Sequence, residues 1–190
     1  MEVVLAENGI DQTTQVFEFT EAELAEVEKH KAKYPDVKSA VMPVLWMAQE
    51  KYQWLSSGAI ELVANTLGLS YAHVYGVATF YTMYFKKPVP KYVFDICTCF
   101  TCGEIGGQQT YEHAKKYAKC GKDGYSEDGL FYIRHAECLG ACDTGPIVQV
   151  TNRHYVHQLD NDKIERLIDD LREGKEMSYK QIPLSDQTKL

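Results

Sequence analysis

The sequence predicts an α+β protein in two parts, a bundle of helices followed by a domain in which strands and helices alternate. Three observations carry this expectation. Apolar residues recur at helical spacing up to Phe85, the period changes after Lys86-Lys-Pro-Val-Pro90, and all six cysteines fall between Cys97 and Cys142. The 190 residues suffice for one large or two small domains with proper cores, and 45% hydrophobic with 25% charged residues is ordinary for a globular chain.

Charge and termini narrow the classes further. A net charge of −7 argues against a nucleic-acid partner, since a phosphate backbone needs a Lys/Arg-rich face to displace its counterions. The start, Met1 to Asn8, lacks the basic region and long apolar core of a signal peptide. An uncharged run from Leu62 to Phe85 reaches bilayer-spanning length, but polar residues such as Asn65, Thr66 and His73 interrupt it. It breaks at Gly68-Leu-Ser70 and reads as two buried helices, with no direct membrane insertion. The expected compartment is reducing, where cysteines ligate metals or do redox chemistry more often than they form disulfides.

Residues 1–18 show no periodicity and are expected to be a mobile arm. Thr20 and Glu23 have capping-box spacing, with Phe19 and Leu24 placed as a hydrophobic staple, and this first helix should end near Tyr34-Pro35. Lys38 to Gln53 is a second helix; Pro43 must lie in its first turn, so the regular part begins near Val41 or Met42. Ser56-Ser57 caps a third, in which Ile60, Val63, Ala64 and Leu67 follow the i, i+3, i+4, i+7 rule. Ser70 caps a fourth, expected to run to about Tyr84. Its apolar residues (Val74, Val77, Phe80, Tyr81, Met83, Tyr84) wrap much of the circumference, so it should be largely buried or meet a partner. The aromatic run Phe80 to Phe85 is read as core, with an interface as the alternative.

Two prolines mark the linker at 86–90. Beyond it, Tyr92 to Ile96 is a strand, Cys102 to Ala118 a helix, and 119–129 a loop. Strands follow at Leu130 to Ala136, Ile147 to Thr151 and His154 to Leu159. A last helix from about Asp162 to Glu173 carries Ile164, Leu167, Ile168 and Leu171 on one stripe, with Gly174 as its stop. The order βα then ββα is that of a thioredoxin-like domain. The expected boundaries are an arm at 1–18, a helical bundle at 19–85, the α/β domain at 91–174 and a polar tail at 175–190.

The cysteines carry the chemistry. Cys97 and Cys102 form a C-x4-C pair with Cys99 inside it, and Cys138 and Cys142 form a C-x3-C pair. Two such pairs can wrap a [2Fe–2S] rhomb, which is usually held by four thiolates. Gly103, Gly106, Gly107, Gly140 and Gly145 give the room a ligand loop needs, and small residues let backbone N–H groups approach the sulfurs. Cys102 is expected just before a helix N-terminus, which favours an anionic ligand. Competing readings are a thiol–disulfide oxidoreductase using Cys99-Phe-Thr-Cys102, a structural zinc site, and simple burial. The first leaves Cys138 and Cys142 idle, the second usually has two-residue gaps, and the third fits poorly with cysteines confined to one region. By spacing alone, Cys99 competes with Cys97 as ligand. Cys120 is read as a free surface thiol and His135 as a plain strand histidine, although a histidine can replace a thiolate in Rieske centres. No nucleophilic triad, paired catalytic carboxylates or nucleotide-binding loop is visible.

Ile96-Cys97 with Cys102, Glu137-Cys-Leu-Gly-Ala-Cys142 and Pro146-Ile-Val-Gln-Val150 resemble the thioredoxin-like [2Fe–2S] subunit of respiratory complex I, the bacterial NADH:quinone oxidoreductase. In the first half, Ser39-Ala40, Leu45, Ala48-Gln-Glu50, Trp54-Leu55, Val63-Ala64 and Ala78-Thr-Phe-Tyr-Thr-Met83 look like that family's helical domain. The resemblance implies Cys97, Cys102, Cys138 and Cys142 as ligands of one [2Fe–2S] cluster, favouring Cys97 over Cys99. It also implies a one-electron carrier with no other catalytic site, acting within an NADH dehydrogenase. The implied partners are a flavoprotein subunit, which holds the FMN and NADH, and a further iron–sulfur subunit. The implied location is cytoplasmic, peripheral to the inner membrane through the complex. The equivalent diaphorase subunit of an NAD-linked hydrogenase or formate dehydrogenase is the alternative within the family. Two residues depart from its pattern: Cys99 inside the ligand loop, and Pro90 where glycine is expected. Gly145-Pro146, before a strand, stands where thioredoxin-like folds often carry a cis proline.

Overall fold

The computed structural model describes residues 16–175, so most of the expected arm and tail lie outside the described residues. The chain divides into two units between Val89 and Pro90.

The first unit contains four helices, α1 (Glu21–Ala32), α2 (Val41–Tyr52), α3 (Ser57–Leu67) and α4 (Tyr71–Phe80). Local chemistry starts each of them. In α1 the Glu23 amide donates to Thr20 Oγ1 at 3.3 Å and the Thr20 amide donates to Glu23 Oε2 at 2.7 Å, closing the capping box. Phe19 is buried, while Leu24 stays largely exposed. A 3₁₀ turn at Val37–Ala40 leads into α2, which places Pro43 in the first turn. Ser56 caps α3 through the Ala59 amide and Ser70 caps α4 through the His73 amide. Ile60, Val63, Ala64 and Leu67 are buried against Val41, Val44, Leu45 and Ala48 of α2 and Val74 and Ala78 of α4.

The fourth helix is shorter than expected, ending at Phe80 instead of near Tyr84. Long-range polar contacts pull the next residues out of helical geometry. Buried Gln49 donates to the Met83 carbonyl at 2.9 Å and accepts from the Phe85 amide at 2.6 Å, while the Tyr84 hydroxyl donates to the Met42 carbonyl at 2.8 Å. The aromatic run therefore splits. Tyr84 and Phe85 are core, whereas Phe80 and Tyr81 are exposed, as are Tyr71 and Tyr75 on α4. Of the two expectations for this helix, burial or a partner, burial is corrected: only Val74 and Ala78 of α4 are buried.

The second unit is a thioredoxin-like α+β fold built from β1 (Tyr92–Cys97), α5 (Phe100–Glu104), α6 (Gly107–Tyr117), β2 (Phe131–Ala136), β3 (Val148–Val150), β4 (His154–Val156) and α7 (Asn161–Arg172). The sheet order is β2-β1-β3-β4. Strands β1 and β2 are parallel, from Tyr92 opposite Phe131 to Cys97 opposite Ala136, and β3 runs antiparallel to β1 and β4. Phe94, Ile96, Phe131, Ile133, Val148 and Val150 form the core with Ala114 of α6 and with Ile164, Leu167, Ile168 and Leu171 of α7. Each of these large side chains contributes roughly 1.5–3 kcal/mol through burial. Asp95 and Arg134 face each other across β1 and β2, with Arg134 Nη2 donating to Asp95 Oδ2 at 3.1 Å and its Nε reaching Oδ1 at 2.5 Å. That bidentate geometry neutralises an otherwise costly buried carboxylate.

The single helix expected from Cys102 to Ala118 is instead two, broken at Ile105-Gly106. Gly106 sits at φ +107°, and a Cβ on Gly107 would lie 2.6 Å from the carbonyl oxygens of both Cys97 and Cys102. Close backbone approach at the cysteine loop, which helical periodicity does not report, forces the break. Among the described residues no helix is long and apolar enough to cross a membrane.

Candidate metal centre

Two loops at one end of the β1–β3 pair bring the paired cysteines together. Cys97 closes β1, its amide donating to the Ile147 carbonyl at 3.0 Å, and the next amide, of Thr98, donates to Ala136 at 3.0 Å. The chain then turns into α5. Cys99 is the N-cap residue of that short helix, and Cys102 lies inside it instead of preceding a helix N-terminus. Cys97 and Cys102 are both buried, packed with Ile147. The second loop joins β2 to β3 and carries Cys138 and Cys142, whose sulfurs are 3.5 Å apart and exposed. A 3₁₀ turn at Cys142–Thr144 and a cis Gly145-Pro146 peptide return it to the sheet.

The two pairs sense each other. Burial pushes the Cys102 thiol up to about 11, with the adjacent Cys97 and the nearby Cys142 adding to the rise; a hydrogen bond from the Ile147 amide opposes it. The Gly140 amide donates to Cys138 Sγ at 3.4 Å, and this bond with the contact from Cys142 lowers the Cys138 thiol below its ordinary value. Cys142 rises in turn, chiefly through Cys138, then also through Cys97 and Cys99. Thiolates this close repel one another, so bound cations that neutralise them would stabilise the deprotonated set.

The donor set consists of soft thiols in two pairs, the chemistry that iron in a cluster takes. Among the described residues no group of three or more Cys, His, Asp or Glu side chains is drawn together as tightly as a metal ion would hold them. The thiols come as two close pairs, which matches one pair per tetrahedral iron. Glycine lets the two loops meet: a Cβ on Gly145 would lie only 3.0 Å from Cys102 Sγ.

The surplus candidates separate. Cys99 is half-buried beside Cys97 and Cys102, so it remains close to the centre. Cys120 is free, as expected, but not on the surface: it packs half-buried against the sheet core, and burial pushes its thiol up to about 11. His135 is an exposed strand residue whose ring meets the Tyr111 edge at 6.1 Å. Sequence reasoning missed the supports of the second loop. Tyr155 donates through its hydroxyl to the Leu139 carbonyl at 3.3 Å, and the buried Thr144 hydroxyl lies 2.6 Å from His157 Nδ1. The available signal was Tyr155-x-His157, two polar rings at strand period.

A thioredoxin-like domain presenting four paired thiols from two loops defines the class of iron–sulfur electron carriers. The family model described as thioredoxin-like [2Fe-2S] ferredoxin matches residues 27–172, and the chain belongs to that family, whose one cofactor is a [2Fe–2S] cluster. NADH-quinone oxidoreductase subunit 2 of Thermus thermophilus is 32% identical over 159 residues, covering 83% of this chain and 88% of that protein. A subunit of the NADH-quinone oxidoreductase of Mycobacterium tuberculosis is 35% identical over 140 residues, 74% of this chain but only 55% of the longer relative. A subunit of the same oxidoreductase in Rhizobium meliloti is 32% identical over 153 residues, 80% and 90% of the two chains. A chain of the air-oxidized NAD+-reducing [NiFe]-hydrogenase shares the fold, with a TM-score of 0.60 at 18% identity over 75% of this chain and 24% of that one.

Proposed function

We propose that Cys97, Cys102, Cys138 and Cys142 hold one [2Fe–2S] cluster and that the chain carries single electrons as a subunit of the NADH-oxidising module of an NADH:quinone oxidoreductase. The observation that carries this is two thiol pairs on neighbouring loops, one buried and one exposed, with Gly145 of the second loop close against Cys102 Sγ. The names of relatives at 32–35% identity over most of the chain support the assignment to that complex. When bound, the cluster supplies reversible one-electron chemistry without bond-making by the protein.

The chain's own residues hold and tune the centre. Cys97 and Cys102 anchor the inner side in a water-poor setting, while Cys138 and Cys142 form the outer edge through which a partner exchanges electrons. The Gly140 and Ile147 amides donate to thiolate sulfur and favour its negative charge. The flavoprotein subunit that holds FMN and NADH is the direct partner, with a further iron–sulfur subunit in the same module, and the complex gives the chain its peripheral place at the membrane. Residues 19–85 form the helical domain and 91–174 the cluster domain of this subunit.

Single serine substitutions test the ligand set. Iron and acid-labile sulfide should fall in Cys97→Ser, Cys102→Ser, Cys138→Ser and Cys142→Ser and stay full in Cys99→Ser. Loss in Cys99→Ser with retention in Cys97→Ser would reverse the assignment. Co-purification of the native complex should recover a flavoprotein with NADH dehydrogenase activity; recovery of hydrogenase subunits instead would move the chain to the other complex.

A further inference from the structure

We propose that Tyr155 and His157 are positioning residues that fix the geometry of the Cys138–Cys142 pair from the opposite strand. This deepens the cluster assignment and rests on Cys138 and Cys142 being ligands. Residues two apart in an extended segment point to the same side, so the two rings stand together, with centroids 6.1 Å apart. Tyr155 donates to the carbonyl of Leu139, the residue after Cys138.

His157 reaches the other cysteine through Thr144. The Thr144 hydroxyl is 3.4 Å from the Ala141 carbonyl oxygen and 2.6 Å from His157 Nδ1. With His157 in the Nδ1–H tautomer the imidazole donates to Thr144 Oγ1, whose own proton is then directed to the Ala141 carbonyl, which can only accept. The relay therefore ends on the residue immediately before Cys142. Backbone contacts complete the grip. The Gln158 amide donates to the Thr144 carbonyl at 2.8 Å and the Leu159 amide to the Pro146 carbonyl at 2.9 Å. Lys163 of α7 in turn donates to the His157 carbonyl at 2.6 Å, tying the gripping segment to the last helix.

The loop that carries two exposed thiols is thus held by side-chain bonds to Leu139 and Ala141, the residues next to each cysteine inside the pair. The two sulfurs of that loop lie 3.5 Å apart. Outer partners of metal ligands set ligand orientation, and their loss typically costs about 10- to 100-fold in metal affinity.

The test uses the full chain, purified anaerobically with its iron. Thr144→Val and His157→Leu cut the relay; Thr144→Ser and His157→Asn keep a hydroxyl or an N–H donor in the same place, and Tyr155→Phe removes one hydroxyl. Leu167→Ala is the control, lowering stability from the core without touching the loop. Three readouts are taken: iron release to a ferrous chelator such as bathophenanthroline, the EPR g-values of the reduced protein, and amide hydrogen exchange of residues 139–145 in the iron-free chain. The expected result is roughly 10-fold faster iron release and shifted g-values in Thr144→Val and His157→Leu. Rescue is expected in the conservative variants, with a wild-type EPR signature in Leu167→Ala. Faster exchange at 139–145 is expected in the same variants even without iron. Release rates that follow melting temperature alone across the whole set, or Thr144→Ser behaving as Thr144→Val, would overturn the proposal. A wild-type chain that binds no iron would sink the ligand assignment instead, and unchanged loop exchange in the iron-free variants would then overturn the positioning role separately.

Discussion

Gly107→Ala is the smallest change that should disturb both buried cysteines of the proposed ligand set at once. The added methyl would lie 2.6 Å from the carbonyl oxygens of Cys97 and of Cys102, and 2.9 Å from the Cys102 carbonyl carbon. These are backbone atoms, so no side chain can rotate aside. Gly107 is not in the left-handed region, so the cost is steric and not a φ penalty. Relieving contacts this short means moving the end of β1 or the turn of α5, and overpacking of this kind costs about 1–3 kcal/mol. Because the two carbonyls belong to residues of the proposed ligand set, iron occupancy should fall with stability. The assay is urea unfolding followed by the circular dichroism of the cluster domain, alongside iron per chain. Gly76→Ala is the matched control: Gly76 lies exposed inside α4 with nothing within 4 Å of a new Cβ, so alanine should stabilise that helix by about 0.5–1 kcal/mol. A Gly107→Ala chain with wild-type unfolding and full iron would refute the close-approach account of this loop.

Other outcomes follow from the helical unit, which holds both tryptophans, Trp46 and Trp54, so that tryptophan fluorescence reports on it. Gln49→Leu removes two hydrogen bonds that end α4 and should lower its stability by about 1–3 kcal/mol in urea titrations; an unchanged midpoint would contradict the role given to Gln49. Glu23 is held below its ordinary value of 4.5, chiefly by the hydrogen bond from Lys51. A depressed folded value means this contribution is complete above 4.5 and is lost as pH falls through the folded value, because the unfolded chain takes up the proton first. Glu23→Gln should therefore flatten the acid limb of the fluorescence-monitored stability profile, and an unchanged limb would show that the pair contributes nothing there.

Legibility in the sequence tracked how local each cause was. Thr20, Ser56 and Ser70 announced helix starts because a cap needs only residues a few positions away. The stripe of Ile164, Leu167, Ile168 and Leu171 announced α7 for the same reason. The end of α4 was misplaced because Gln49, more than thirty residues upstream, decides it. The break between α5 and α6 was invisible because its cause is crowding against Cys97 and Cys102 carbonyls. At the site, the two spacings marked the paired cysteines, but burial separated Cys120 from a surface role and no local pattern reports that. Asp95 with Arg134 is a cross-strand pair and Thr144 with His157 joins two segments thirteen residues apart, so both are legible only once the fold is in place.

The central claim is a two-iron cluster on Cys97, Cys102, Cys138 and Cys142. The most direct measurement is the visible spectrum and low-temperature EPR of the anaerobically purified chain, before and after dithionite. A coloured, EPR-silent oxidised protein that gains a one-electron signal on reduction, with two irons and two labile sulfides per chain, is the predicted result. A colourless protein without iron, with Cys99 and Cys102 titrating as a fast dithiol, would contradict it.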